Sequence, residues 1–166
     1  FDHEHKTVYG CLSARTHKPL LETFARAHGY RPIYFVASDQ KGTPIYHTNV
    51  MMHIGTTYAV ICLESIKNQP ERIRIAQELQ NSGHEVIPIS LEQVAHFAGN
   101  MMQVQSSAGK PYTLLSQSAL DCLTQEQKQI LSIHSTLLPV DITTIETIGG
   151  GSARCMVAEI FLDKLA

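Results

Sequence analysis

The chain has no CxxC pair, no block of like charge, no long apolar run and no segment ordered like a secretion signal, and each absence narrows what it can be. Its four cysteines, at 11, 62, 122 and 155, are scattered as reduced thiols are in a reducing compartment, which argues against the disulfide framework of a small secreted domain. Thirteen basic against fifteen acidic side chains leave a formal net charge of −2 with neither sign concentrated, so nucleic acid is not an expected partner. No apolar stretch approaches the roughly 20 residues that a membrane-spanning helix requires, and the opening FDHEHK lacks the charged-then-apolar order of a signal peptide. The expectation is a soluble, cytoplasmic protein with no membrane partner. The chain opens at Phe1 directly before a strand-like segment, and this end is expected to have been made by cutting or processing a longer chain.

What is present is a substantial apolar fraction: 43% of 166 residues, enough for one domain or one large piece of a bigger one. A chain this long buries roughly 70% of its unfolded surface. TVYGCL (7–12) reads as a strand. A helix then starts at Pro19, with Leu20, Leu21, Phe24 and Ala27 on one face, and stops at Gly29. RPIYFVA is a buried strand; beyond the turn 39–44, IYHTNVMMHIG and TTYAVICL read as two strands joined through Gly55. A second helix begins near Pro70, buries Ile75, Ala76 and Leu79, and ends by Gly83 before the strand HEVIPIS. The capping box Thr124 and Gln127 opens a third helix that buries Ile130 and Leu131 ahead of the strand TLLPV. This alternation predicts an α/β protein in which helices pack on a sheet or on a ring of small sheets.

An internal echo refines the prediction. His47-Thr48-Asn49-Val50-Met51-Met52 recurs about 50 residues later as Phe97-Ala98-Gly99-Asn100-Met101-Met102, and a weaker copy, Arg154-Cys155-Met156-Val157, follows after a similar interval. Fixed spacing of this kind marks stacked or radially repeated units. It divides the chain into about three ββαβ-like modules and puts His47 and Cys155 at comparable points of different modules. Radial packing would bring those points together at a centre.

The strongest local signal is IGGGSARCM, 148–156. Consecutive glycines are costly to order and serve a backbone that turns sharply or approaches a ligand closely. Cys155 lies just beyond them beside Arg154, where a cation or exposed N–H groups would favour the thiolate. The competing reading makes Cys155 the first residue of an apolar core segment, MVAEIFL, which fits strand or helix equally. His47 is the natural imidazole partner for such a thiol, because Cys–His pairs are spatial rather than sequential neighbours. His3, His5, His17 and His28 read as solvated, and His84, His96 and His134 flank turns or helix ends. His53 shares the segment of His47 at even spacing, but no third ligand follows at a zinc spacing, so no metal is expected. In CLSARTH (11–17), Arg15 offers a planar fork suited to a carboxylate; otherwise it is a surface loop arginine.

VYGCLSARTH, YHTNVMMHIG, HFAGNMMQV and GGGSARCMVAEIFL, in this order, resemble the guanidine-modifying superfamily of arginine deiminases, dimethylarginine dimethylaminohydrolases and amidinotransferases. The nearest likeness is to the citrulline-utilisation hydrolase-like branch, and it spans almost the whole chain. The resemblance implies a pentein-type fold, an α/β propeller of five ββαβ modules around a central site, of which about three blades fit residues 1–166 as one partial domain. It further implies that Cys155 is the nucleophile, that His47 is the general acid and base, and that Arg15 binds the substrate's α-carboxylate. Asn100 matches a motif position without an assigned role. The superfamily's acidic site residues lie upstream of its SxRT motif, and Asp2 and Glu4 do not match them. The chain therefore looks like the C-terminal half of such an enzyme.

The chemistry so implied is covalent catalysis at the guanidino or ureido carbon of an arginine-like or citrulline-like amino acid, as a hydrolase or amidinotransferase, with no cofactor. A homo-oligomer or a companion N-terminal half is the expected partner. The alternative is a non-catalytic module, a truncated propeller surviving as a structural or partner-binding unit through its exposed apolar edges. A thiol amidase of unrelated fold would keep Cys155 and His47 and release Arg15 from the site.

Overall fold

The structure, a computed structural model, describes residues 1–159. In the first unit, β1 (Thr7–Cys11) leads through α1 (Lys18–His28) to β2 (Arg31–Phe35), which lies parallel to β1 with Tyr9 opposite Ile33. In the second, β3 (Met52–Ile54) and β4 (Tyr58–Ile61) form an antiparallel pair, and α2 (Gln69–Asn81) crosses to β5 (Glu85–Pro88), parallel to β4. After the short α3 (Leu91–Ala95), the third unit repeats the plan. β6 (Met102–Gln105) and β7 (Pro111–Ser116) are antiparallel, and α4 (Gln117–Cys122) and α5 (Gln125–His134) lead to β8 (Thr136–Val140), parallel to β7. Helix α6 (Thr143–Gly149) and a 3₁₀ turn, Ala153–Met156, complete the described chain. The mixed α/β class expected from the alternation is present, as one βαβ unit and two ββαβ units. No helix among the described residues is long and apolar enough to cross a membrane.

Local chemistry accounts for most boundaries. Helix α2 starts where the Asn68 side chain accepts the Glu71 N–H, carries Pro70 in its first turn and buries Ile75 and Leu79. Helix α5 starts on the reciprocal bonds of Thr124 and Gln127. The three sheets share one core: Phe35, Met51, Tyr58, Ile61, Leu79 and Leu131 are all fully buried, each contributing roughly 1.5–3 kcal/mol.

Two expectations need correction. Segment 45–55 is not one strand; Thr48–Val50 forms a 3₁₀ turn and only Met52–Ile54 is extended. The reason lies in Thr48, whose Oγ1 accepts the Cys11 N–H at 2.9 Å and donates to the Tyr9 carbonyl at 3.3 Å. A side chain thus satisfies the edge of β1 where a strand would have done so. On α1 the apolar stripe is only partly covered: Ala25 is the buried residue, while Leu20 is 69% exposed and Phe24 lies at the surface against Phe1, with ring centroids 5.6 Å apart. Of the segment MVAEIFL, Met156 ends the 3₁₀ turn, residues 157–159 continue without regular structure, and 160–162 lie outside the described residues.

Strands β3 and β6 lie against each other. The turns that precede them, the two copies of the echo, therefore meet. Gly99 is where they touch: a Cβ there would stand 2.5 Å from the Val50 carbonyl oxygen and 2.8 Å from Met51 Cα, so this contact admits only glycine.

Candidate active site

Helix α6 delivers the glycine run. Gly150 takes the left-handed conformation at φ 68° and ends the helix, with its N–H on the Glu146 carbonyl at 3.1 Å. The chain then turns through buried Ser152 into the 3₁₀ turn that displays Cys155, the exposed one of the four thiols. Glu146 fixes this turn. It is buried, and its Oε1 and Oε2 accept the hydroxyls of Ser152 and Ser118, both at 2.6 Å. Two short hydroxyl bonds compensate the burial of the carboxylate and tie the turn to α4. Nothing in the pattern TTIETIG marked Glu146, which reads as a solvated helix residue.

Asn100 sits at the centre. Its Nδ2 donates to the Asn49 carbonyl at 2.9 Å and to Cys155 Sγ at 3.3 Å, and its Oδ1 accepts the Arg154 N–H at 3.1 Å. The Asn49 amide reaches the same sulfur at 3.9 Å. Asn49 Oδ1 is buried with no partner among the described residues, an open acceptor beside the thiol. All three copies of the echo thus converge, but the residues they bring to Cys155 are Asn49 and Asn100.

His47 is placed differently from the simplest expectation. It is exposed, its ring packs against Tyr46 with centroids 4.8 Å apart, and among the described residues it makes no hydrogen bond to Cys155. It does line a cavity of about 360 Å³ together with Thr16, Asn49, His53, Arg154 and Glu159. Cys155 is next to that wall through Arg154 and is not part of it. Arg15 is exposed, one residue from Thr16, with its guanidinium 5.2 Å from the Tyr46 ring centre. Its loop is held by Ser13, whose Oγ accepts the Arg15 N–H at 3.0 Å and donates to the Tyr46 carbonyl at 2.9 Å. Arg15, Tyr46 and His47 therefore form a row, and Arg15 has no ion pair among the described residues.

Among the described residues the wall carries one carboxylate, Glu159, whose Oε2 is 3.3 Å from Arg154 Nη2. Arg154 also donates to the Val157 carbonyl at 3.2 Å. His53 faces the cavity but is buried, with Nε2 3.2 Å from the Tyr58 hydroxyl, which continues to Thr113 and Ser135. Burial, and then the Arg154 charge, push its pKa down to about 3, so the ring stays neutral. The other cysteines are chemically quiet: burial pushes the Cys11 and Cys62 thiols up, and Cys122 is raised to about 11.

The sequence pattern of a family described as N,N dimethylarginine dimethylhydrolase, eukaryotic, matches residues 1–162. No curated protein matches the chain significantly. Apo ArgZ, an arginine dihydrolase from the ornithine-ammonia cycle in cyanobacteria, superposes with a TM-score of 0.73 at 15% identity, over 99% of this chain and 25% of its own. The product-bound N-terminal domain of ArgZ gives 0.71 at 13% identity, over 94% of this chain and 52% of that domain. AgrE in its ternary complex with ornithine and NAD+ gives 0.71 at 16% identity, over 99% and 22%. At these identities the likeness is one of fold. This chain spans between about a fifth and a half of the length of those structures.

Proposed function

The chain belongs to the eukaryotic N,N-dimethylarginine dimethylhydrolase family of the guanidine-modifying superfamily, and on that premise we propose that it carries the thiol-bearing part of a hydrolase acting on guanidino or ureido carbons. The observation that carries the reading is the convergence of Asn49, Asn100 and Cys155 beside a cavity lined by His47. Supporting it, one solved form of the ArgZ N-terminal domain is covalently bonded to a reaction intermediate.

In this reading, written for a guanidino substrate, the Cys155 thiolate adds to the sp² guanidino carbon. His47 protonates the departing amine or ammonia, the C–N bond breaks and an amidino-thioether remains. Water, losing its proton to His47, adds to that carbon; the C–S bond breaks, and the ureido product and the thiolate are released. The Asn100 amide places an N–H on the sulfur and so fixes its position beside the cavity. Asn49 Oδ1 supplies an acceptor for a substrate N–H, and Arg15, with no ion pair among the described residues and its guanidinium over the Tyr46 ring, takes the α-carboxylate. Among the described residues the one carboxylate on this wall is already held by Arg154, too little for a guanidinium, and we assign the remaining acidic groups to a companion segment that completes the propeller.

The test is turnover by the full-length protein of N,N-dimethylarginine, arginine and citrulline, followed as amine or ammonia release. His47→Ala should lower kcat by about 10²- to 10⁴-fold, and Cys155→Ser should abolish turnover. Arg15→Ala should raise KM for the amino acids and leave it unchanged for the same compounds lacking the carboxylate. Turnover that survives Cys155→Ser would refute the reading.

A further inference from the structure

Away from that cavity, Asp2, His5 and His84 bring one carboxylate oxygen and two imidazole nitrogens within 4.8 Å of one another. We infer that these three side chains form a binding site for a divalent transition-metal ion, of which Zn²⁺ is the natural probe. Nothing in the proposed reaction uses them.

The backbone builds the first half of the site. Asp2 and Thr7 exchange both backbone hydrogen bonds, at 2.8 and 3.0 Å, and Lys6 closes the loop between them in the left-handed region at φ 48°. This folds His5 back over Asp2: the His5 N–H reaches Oδ1 at 3.0 Å, and ring Nδ1 lies 3.0 Å from Oδ2. The second half comes from the end of α2. Gly83, at φ 81°, turns the chain so that His84 points its Nε2 at Asp2 Oδ2 from 3.9 Å.

The protonation chemistry of His84 makes this more than a crowded corner. Ser82 Oγ lies 3.0 Å from the Glu78 carbonyl, the Leu79 carbonyl and His84 Nδ1. A hydroxyl has one hydrogen; given to either carbonyl, it leaves Oγ to accept a proton held on Nδ1, which puts the lone pair on Nε2. That lone pair then faces a carboxylate oxygen across a gap too long for a hydrogen bond, with Asp2 3% and His84 4% exposed. A cation between these two buried acceptors would satisfy both, taking the place of the proton that His5 Nδ1 shares with Asp2 Oδ2.

The dimensions suit one. Ligand atoms about 2.0–2.2 Å from a tetrahedral ion stand roughly 3.4 Å apart, and the separations of 3.0 and 3.9 Å about Asp2 Oδ2 straddle that value. Ser82 supplies the outer contact that usually fixes the tautomer of a ligating histidine. The Tyr9 hydroxyl is buried beside the Ser82 side chain, with no hydrogen bond of acceptable geometry among the described residues, and lies within the electrostatic reach of Asp2; a metal-bound water in the fourth position would give it a well-placed partner. His5, the exposed member, gives an ion its way in. The ion would clip the turn leading into β1 to the loop leading into β5, joining the first two units.

The experiment is calorimetric titration of Zn²⁺, and absorption with Co²⁺, on the full-length protein carrying Cys155→Ser, so that the exposed thiol cannot hold the ion. The expected result is one ion per chain and a Co²⁺ spectrum without thiolate-to-metal charge transfer. His5→Ala, at an exposed position that the fold does not need, should weaken binding at least about tenfold, as loss of even an outer-shell partner does. His84→Gln should do the same, with circular dichroism reporting that the fold is kept. Absence of binding in the Cys155→Ser protein, or an affinity unchanged in His5→Ala, overturns the site. Neither outcome depends on the proposed catalytic function.

Discussion

Asn100 donates from Nδ2 to Cys155 Sγ at 3.3 Å while its Oδ1 accepts the Arg154 N–H at 3.1 Å, so one buried amide sets both the position of the thiol-bearing turn and the field at the sulfur. The orientation of that amide is fixed by partners of single character: the Arg154 N–H can only donate, and the Asn49 carbonyl can only accept.

Replacing this amide separates its two roles. Asn100→Ala leaves the Arg154 N–H and the Asn49 carbonyl without partners, and should cost about 1–3 kcal/mol in urea denaturation. Asn100→Asp keeps the Oδ1 acceptor but sets a negative oxygen against the sulfur, and should slow iodoacetamide alkylation of Cys155 about tenfold. An unchanged rate would reduce Asn100 to a structural strut.

Glu146 is the second anchor of the turn, through the hydroxyls of Ser152 and Ser118. Glu146→Ala strips the buried Ser152 hydroxyl and the part-buried Ser118 hydroxyl of their carboxylate partner and should lower stability by roughly 2–4 kcal/mol. In a double-mutant cycle, Ser152→Ala should cost clearly less once Glu146 is gone. Additive losses would mean that the carboxylate does not hold the turn.

His53 gives the fold an acid-side sensitivity. Its pKa in the folded protein, about 3, lies below the unfolded value of about 6.5, so between these limits the unfolded chain binds a proton that the folded one refuses. Its contribution to stability is complete above about pH 6.5 and is lost as pH falls, at up to about 1.4 kcal/mol per pH unit. His53→Gln should flatten urea-derived stability between about pH 6.5 and 4 by that slope. An unchanged slope would place the titration elsewhere.

Thiol accessibility ranks the cysteines. Cys155 is exposed, Cys11 and Cys62 are buried, and Cys122 is part-buried and raised to about 11. Limited alkylation followed by peptide mass analysis should find Cys155 modified first, with arginine analogues slowing it. First modification at Cys11, Cys62 or Cys122 would count against the site as drawn.

Much of the fold was legible because its signals are local. Pro70 with Gly83, and Thr124 with Gln127, mark helix ends by caps that act within a few residues. The echo was legible too, since its copies meet through Gly99 and Asn100. What escaped was tertiary. Thr48 takes the edge of β1 with a side chain, Glu146 is buried by two serines distant or unremarkable in sequence, and His84 is buried against Asp2, 82 positions earlier. No periodicity records such pairings. Asn49 and Asn100 sat within the echoed motifs without a role, because only their placement at the sulfur reveals what an amide does there.

The most direct measurement is acid quenching of the full-length protein during turnover of a guanidino or ureido amino acid, with mass analysis of its peptides. A substrate-derived adduct on the peptide containing Cys155 is the result expected of a thioether intermediate. Sustained turnover with that peptide unmodified at every time point would contradict it.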